Sequence, residues 1–395
     1  MKIVVAIGTR PEAIKLAPLV RELQARPGVD VQVCATAQHR QMLDQVLDLF
    51  GIAPDFDLDL MAPNQTLAGL TARIVASFDE VLAAAAPDVV VVQGDTTTTF
   101  ACSLAAFYRR VRVAHVEAGL RTGDRHSPFP EEVNRRLTSV LTDWHFAPTE
   151  RGRAALLAED YPDRAIHVVG NTVIDALLEM VEQVRGASEG YAQRFGFLPP
   201  GARMVLITCH RRENFGGGLQ AICDAIGDLA KAYPETHFVY PVHLNPNVQG
   251  PVNDRLGSLA NVHLIPPQDY LNFIWLMDRA HIVLTDSGGV QEEAPSLGKP
   301  VVVMRDTTER MEAIEAGTAL LVGSDTRAIV NAARGLLDSE AEWRKMASIA
   351  NPFGDGHSCA RIADILTAQV HQSAPAGSVE TQAGGTAGAQ ARTAL

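Results

Sequence analysis

An alternation limits what this chain can fold into. Short apolar runs, most of them valine-rich, are separated by longer amphipathic stretches. That pattern is the mark of β-α units winding a parallel sheet, in which strands buried on both faces read as continuous apolar runs. In the first half the strands are expected at residues 3–7, 31–35, 89–93 and 111–116. Between them, residues 41–50 place Met42, Leu43, Val46, Leu47 and Phe50 on one side of a helix. The second half repeats the alternation at 204–208, 237–240, 262–265, 282–285 and 301–304, without any sequence repeat. Right-handed crossovers then give an α/β fold of two doubly wound, Rossmann-like domains facing each other across a cleft. Residues 1–168 form the first and 169–355 the second. A helix at 356–371 can return to the first domain.

Composition narrows the function. At 395 residues with 47% hydrophobic side chains, two ordinary domains can each bury a core. A net charge of −12 argues against nucleic acid and acidic membrane surfaces as partners, so an anionic ligand needs local Arg and Lys clusters. The five cysteines have no CxxC spacing, and the twelve histidines form no HExxH or HxH pair, so neither a disulfide framework nor a metal site is expected. No run of about 18 apolar residues is present, and residues 1–7 are too short for a signal-peptide core, which leads to the expectation of a cytoplasmic protein. Residues 372–395 are rich in Ala, Gly, Thr, Gln and Ser, with Glu380 and Arg392 the only charges, and are expected to be disordered.

Five constellations carry the chemistry. Gly8-Thr9-Arg10-Pro11-Glu12-Ala13-Ile14-Lys15 follows the first strand, and free amides at that helix start beside Arg10 and Lys15 would make an anion site. An ordinary β-α turn with two solvated bases is the alternative. Gln93-Gly94-Asp95-Thr96 ends a buried strand, where Asp95 is either functional or a helix cap. The next strand releases Glu117 at the same sheet edge. Pro130-Glu131-Glu132 opens a helix, and dipole stabilisation accounts for one of its two glutamates. Across the cleft His210 ends a strand in a basic loop, as proton donor, phosphate ligand or structural histidine. Most specific is Thr285-Asp286-Ser287-Gly288-Gly289, a glycine turn into a helix whose amides suit a phosphate, with Glu293 placed for ribose hydroxyls. No GxGxxG accompanies any of these, so a nicotinamide dinucleotide is not expected.

Together these stretches resemble the non-hydrolysing UDP-N-acetylglucosamine 2-epimerases. The likeness is carried by GTRPEAIKLAPLV, TAQHRQMLDQVL, QGDTTTTFACSLAAFY, HVEAGLRTGD, PFPEEVNR, GNTVIDAL, HRRENFG, YPVHLNPNV, LTDSGGVQEEAPSLGKPVVVMRDTTER and NPFGDG, from Gly8 to Gly356. The resemblance implies a GT-B arrangement of the domains, no cofactor, and a homodimer. It implies Asp95, Glu117, Glu131 and His210 as catalytic residues. Arg10, Lys15, Gln268, Phe273, Ser287, Gly288, Gly289, Glu293 and Arg310 are implied around UDP, with Phe273 beside the uracil. Gln38, Gln41, Arg73, Arg211 and His243 are matched to an activator site for UDP-N-acetylglucosamine; an exposed amphipathic helix start is the plain alternative for the two glutamines. Two departures stand out: Met311 where the family has Pro, which bears on the loop around Arg310, and Phe353 where it has Tyr.

The implied reaction inverts C2 of UDP-N-acetylglucosamine through loss and re-addition of UDP by way of 2-acetamidoglucal. Rival readings are a sister epimerase acting on a UDP-diacetamido sugar, a hydrolysing epimerase, a retaining glycosyltransferase and a silent UDP-sugar sensor. The glycosyltransferase leaves Asp95, Glu117 and Glu131 without a purpose.

Overall fold

The computed structural model describes residues 1–36, 40–60, 65–211, 214 and 216–372. The first sheet has seven strands: β1 (Lys2–Ile7), β2 (Asp30–Ala35), β3 (Phe56–Asp57), β4 (Val89–Gln93), β5 (Arg112–Val116), β6 (Trp144–Ala147) and β7 (Ile166–Val168). The second has six: β8 (Met204–Thr208), β9 (His237–Pro241), β10 (Val262–Ile265), β11 (Ile282–Thr285), β12 (Val301–Val303) and β13 (Ala319–Leu321). Their orders are β3-β2-β1-β4-β5-β6-β7 and β10-β9-β8-β11-β12-β13, and the paired strands run parallel. Each sheet therefore reverses its winding once, between β1 and β4 and between β8 and β11. Ligands of open α/β sheets bind in the crevice at such points. The loops after β1, β4, β8 and β11 carry four of the five constellations.

Valine density explains why these runs are central strands. Val89, Val90, Val91 and Val92 are fully buried, and a fully buried Val or Leu is worth roughly 1.5–3 kcal/mol. The expected strands are present with ends within one residue of those read from sequence; Val111 lies just outside β5. Four strands escaped that reading: β3, β6, β7 and β13 are two to four residues long, and none carries an unbroken valine run like that of the equally short β12.

The chain crosses between the sheets at residues 169–171 and returns at 353–357, and the two crossings lie side by side. Asn171 N donates to Phe353 O at 2.7 Å, and a Cβ on Gly170 (φ +92°) would stand 2.6 Å from Ser358 Oγ. Glycine is needed there for both reasons. Past the return, the helix Ser358–Gln372 packs on Arg10–Gln24 of the first domain, and Asp364 pairs with Arg26 at 3.0 Å. Among the described residues no helix is long and apolar enough to cross a membrane.

Candidate active site

The turn after β1 differs from the expected anion cradle. Thr9 and Glu12 form a reciprocal capping box: Glu12 Oε2 accepts Gly8 N at 2.7 Å and Thr9 N at 2.6 Å, and Oε1 accepts the Thr96 hydroxyl at 2.5 Å. Glu12, only 2% exposed, thus occupies the amides that a phosphate would need. Burial raises its pKa, against these hydrogen bonds. The Thr-x-x-Glu pattern at Thr9–Glu12 could have announced this. Arg10 is exposed at the cleft, while Lys15 turns inward and meets Glu117 Oε2 at 2.5 Å.

Glu117 takes a left-handed backbone (φ +65°) directly after β5, uncommon for a residue with a side chain and a frequent form of strain at functional sites. Gln93, at the end of β4, also donates to its carboxylate. Burial pushes the Glu117 carboxyl up, but the Lys15 ammonium and its hydrogen bond outweigh this and hold it below its ordinary value. Asp95 is not a helix cap: Thr96 caps the next helix, accepting Thr99 N at 3.2 Å. The Asp95 carboxylate receives Arg135 Nε at 2.9 Å and Nη2 at 2.7 Å, and its carbonyl receives Asn134 Nδ2 at 2.9 Å. Arg135 and Asn134 lie on Glu131–Leu141, so the helix that begins with Glu131 is docked on Asp95. The two glutamates there part company. Glu132 is fully buried and accepts Thr122 N at 3.0 Å and Arg135 Nη1 at 3.1 Å, a structural role, whereas Glu131 is partly exposed.

Across the cleft, Asp286 is buried and Oδ2 accepts His210 N at 2.9 Å, Arg211 N at 2.8 Å and Asn214 Nδ2 at 3.1 Å, which pins the loop after β8 to β11. The His210 ring stays half exposed and stacks on His243 at 5.7 Å. Burial lowers its pKa, with Asp286 acting in the opposite sense, so the ring is neutral near pH 7. After β11, Ser287 N is held by Thr285 Oγ1 at 2.9 Å, and Gly288–Glu293 is a short helix. A Cβ on Gly288 would lie 3.5 Å from Arg310 Cζ and 3.6 Å from Arg211 Nη2, so two guanidinium groups flank the glycine turn. Burial and the adjacent Glu292 push Glu293 up to about 8. The loop with Met311 is tied down locally: Arg310 N donates to Thr308 Oγ1 at 3.1 Å, and the Thr308 hydroxyl donates to Gln291 at 2.7 Å. Phe353 is buried at the chain crossing.

A cleft of about 490 Å³ collects Arg10, Lys15, His210, Gln268, Phe273, Ser287, Gly289, Glu293 and Arg310. Behind it, a cavity of about 330 Å³ contains Glu117 and shares Glu292 and Arg310 with the cleft. Asp95 and Glu131 line neither. Of the residues matched to an activator, Gln38 lies outside the described residues, as does the Gln41 side chain. Arg73 bonds within the first domain, to Gln65 and to Leu60 O at 3.4 Å. Arg211 and His243 instead sit on the second-domain wall, beside Gly288 and His210. Sequence reading missed Gln93, Asp286 and Glu292, whose partners are far away in the chain.

Two facing Rossmann-like domains with paired cations and carboxylates at their switch points define an α/β enzyme of the GT-B arrangement. Residues 21–367 match the sequence profile of the family described as UDP-N-acetylglucosamine 2-epimerase. The UDP-N-acetylglucosamine 2-epimerase of Salmonella typhimurium is 56% identical over 369 residues, 93% of this chain and 98% of its own. The Neisseria meningitidis UDP-GlcNAc 2-epimerase, solved bound to UDP-GlcNAc, superposes with a TM-score of 0.87 at 53% identity, covering 93% of this chain and all (100%) of that one. The Methanocaldococcus jannaschii enzyme, in complex with UDP-GlcNAc and UDP, gives 0.77 at 35% identity over 93% and 100% of the two chains. This chain belongs to the UDP-N-acetylglucosamine 2-epimerase family.

Proposed function

We propose that this protein reversibly converts UDP-N-acetylglucosamine to UDP-N-acetylmannosamine, without nicotinamide or a divalent metal. The observation that carries this reading is the buried charge cluster where the domains meet, with Lys15 on Glu117 from one side and Arg310 on Glu292 from the other. The C2 proton has no adjacent carbonyl to acidify it. Breakage of the C1–O bond to UDP leaves positive charge at C1, and that makes the C2 proton removable. A base takes the proton, a C1=C2 double bond forms, and 2-acetamidoglucal and UDP stay in the cleft. Delivery of a proton to the other face of C2, with return of the UDP oxygen to C1, completes inversion.

Asp95, Glu117, Glu131 and His210 are the proton-transferring groups in this scheme. Glu117, kept ionised by Lys15, is suited to accept a proton, as is the neutral His210 ring. Lys15, Arg310 and the Ser287-Gly288-Gly289 turn support the departing diphosphate; Gln268 and Phe273 receive the uracil end and Glu293 the ribose. Proton NMR of UDP-N-acetylglucosamine with enzyme in D2O tests the reading. Solvent deuterium at C2 of both epimers is expected; free sugar plus UDP as the main products would refute it. Turnover abolished by EDTA and restored by one metal would refute the metal-free part.

Two finer features belong to the proposal. UDP-N-acetylglucosamine also activates, at a site that includes Gln38, Gln41, Arg73, Arg211 and His243, by favouring the closed form. Reaction started from pure UDP-N-acetylmannosamine should then be slow until a little UDP-N-acetylglucosamine is added; full speed without a lag would remove this feature. The protein is also a homodimer. Val133, Leu137 and Val140 form one exposed stripe of their helix, with Val140 70% exposed, and Phe107 and Tyr108 end the neighbouring helix. In sedimentation, Leu137→Glu with Val140→Asp should shift the protein to monomer; an unchanged mass would show that another face associates.

A further inference from the structure

Glu292 is the one acid of the charge cluster to which the reaction scheme gives no task. It is 4% exposed and stands between the nucleotide cleft and the smaller cavity, lining both. Its Oε1 accepts Arg310 Nε at 2.8 Å, and its Oε2 accepts Asn171 Nδ2 at 3.1 Å. Asn171 is itself fixed in the crossing between domains: its side chain caps the next helix at Val173 N (3.1 Å) and its amide donates to Phe353 O. Arg310 is thereby held against Gly288, at the mouth of the glycine turn, with a carboxylate already on its guanidinium. A carboxylate on an arginine beside a phosphate cradle stands where a phosphate oxygen would compete.

We propose that Glu292 is a resident counter-ion for Arg310, which yields the guanidinium to the incoming diphosphate and takes a proton from solvent as the nucleotide binds. The proposal rests on the reading of Arg310 as a diphosphate ligand. Charge balance motivates it. Within the cluster two cations, Lys15 and Arg310, face two carboxylates, Glu117 and Glu292. A bound nucleotide sugar adds two negative charges on its diphosphate, and like charges at short range favour the neutral acid. Glu117 keeps its direct contact with Lys15, so the acid that loses its partner is Glu292. Burial already raises the Glu292 pKa, against the pull of Arg310 and Lys15. The other groups around it are Glu293 on the same short helix, Arg10, His210, His243, Asp269 and Tyr270 around the cleft, and, across the smaller cavity, Arg121, Arg151, Glu309 and Glu312. Competition of this kind keeps Arg310 pre-positioned while preventing the diphosphate from being held too tightly for release.

The test is calorimetric titration of the full-length enzyme with UDP-N-acetylglucosamine at pH 6, 7 and 8, in buffers of different ionisation enthalpy. Epimerisation itself consumes no net proton, so uptake reports on binding. The wild type should take up roughly half a proton or more at pH 7, with affinity falling by up to about tenfold per pH unit. Glu293→Gln should retain uptake at pH 7. Glu292→Gln should lose it and bind roughly tenfold tighter, with a flatter pH profile. A merely structural glutamate would weaken binding on removal and leave the proton count alone. No uptake by the wild type, while Arg310→Ala still weakens binding, overturns the counter-ion proposal and spares the reading of Arg310. Unaltered binding by Arg310→Ala overturns both. The wild-type proton count decides even if Glu292→Gln folds poorly.

Discussion

Single side chains here are defined by what they pair with. Asp95→Asn, Glu131→Gln and His210→Asn should each lower turnover by roughly 10²–10⁴-fold while shifting UDP affinity only a few-fold. Steady-state rates beside UDP titrations check this, and a variant with near-normal turnover is removed from the proton-transfer set. Glu117→Gln should behave differently, because it also strands a buried ammonium. A loss of roughly 3–5 kcal/mol in urea unfolding should accompany its loss of turnover. Glu293 supplies a pH signature. A carboxyl whose folded pKa is raised, here from 4.5 to about 8, stabilises the fold below its unfolded value and loses that contribution as pH rises through about 8. Melting temperature should fall from pH 5 to pH 9, and Glu293→Gln should make that fall shallower. An identical profile in the variant would show that Glu293 ionises freely. At this scale the sequence pointed to residues at strand ends, where polar side chains have little reason to be unless they serve a ligand. Asp286 stayed invisible because an acid just before a helix reads as a cap, and Glu292 because an acid inside a short helix reads as a solvated side chain, until their partners, 18 and more residues away, are in place.

Among the elements, the loop after β5 is tightly specified. Gly119 has φ +92°, and a Cβ there would lie 2.3 Å from the carbonyl oxygen of Gly152. Gly119→Ala therefore combines backbone strain with a backbone clash and should cost about 2–4 kcal/mol, read from the urea midpoint. A loss below about 0.5 kcal/mol, the usual range of surface changes, would mean that the loop separates freely from the helix Glu150–Ala158 that carries Gly152. Central strands were legible because valines buried on both faces leave a continuous run, as in Val89–Gln93. Edge strands such as β3 and β13 were not, since Phe56–Asp57 and Ala319–Leu321 are short, carry no valine run, and pair only because a neighbour offers an open edge. The turn after β1 shows the same limit in reverse. Glycine, proline and two bases suggested an anion site, but the glutamate at the third helical position had already taken the amides.

For the molecule as a whole, the paired crossings at 169–171 and 353–357 are the natural pivot, with Gly170 of the first packed against Phe353 and Gly354 of the second. Closure on substrate should reduce the radius of gyration in solution scattering, and an unchanged value at saturating UDP-N-acetylglucosamine would count against domain motion. The segment after residue 371 has a composition that leaves little to pack, so truncation there should leave activity and melting temperature nearly unchanged; a drop of several degrees would show that it docks. Sequence alone determined the α/β class, the two windings and the strand ends where polar residues gather, because these follow from local pattern and from short right-handed connections. Only the tertiary structure decided which of those residues meet. Lys15 lies 102 residues from Glu117, and Asn171 lies 121 from Glu292. No local pattern encodes such distances; they arise when two sheets, each closing its own core, bring their switch points to one cleft and leave buried charges to find partners there.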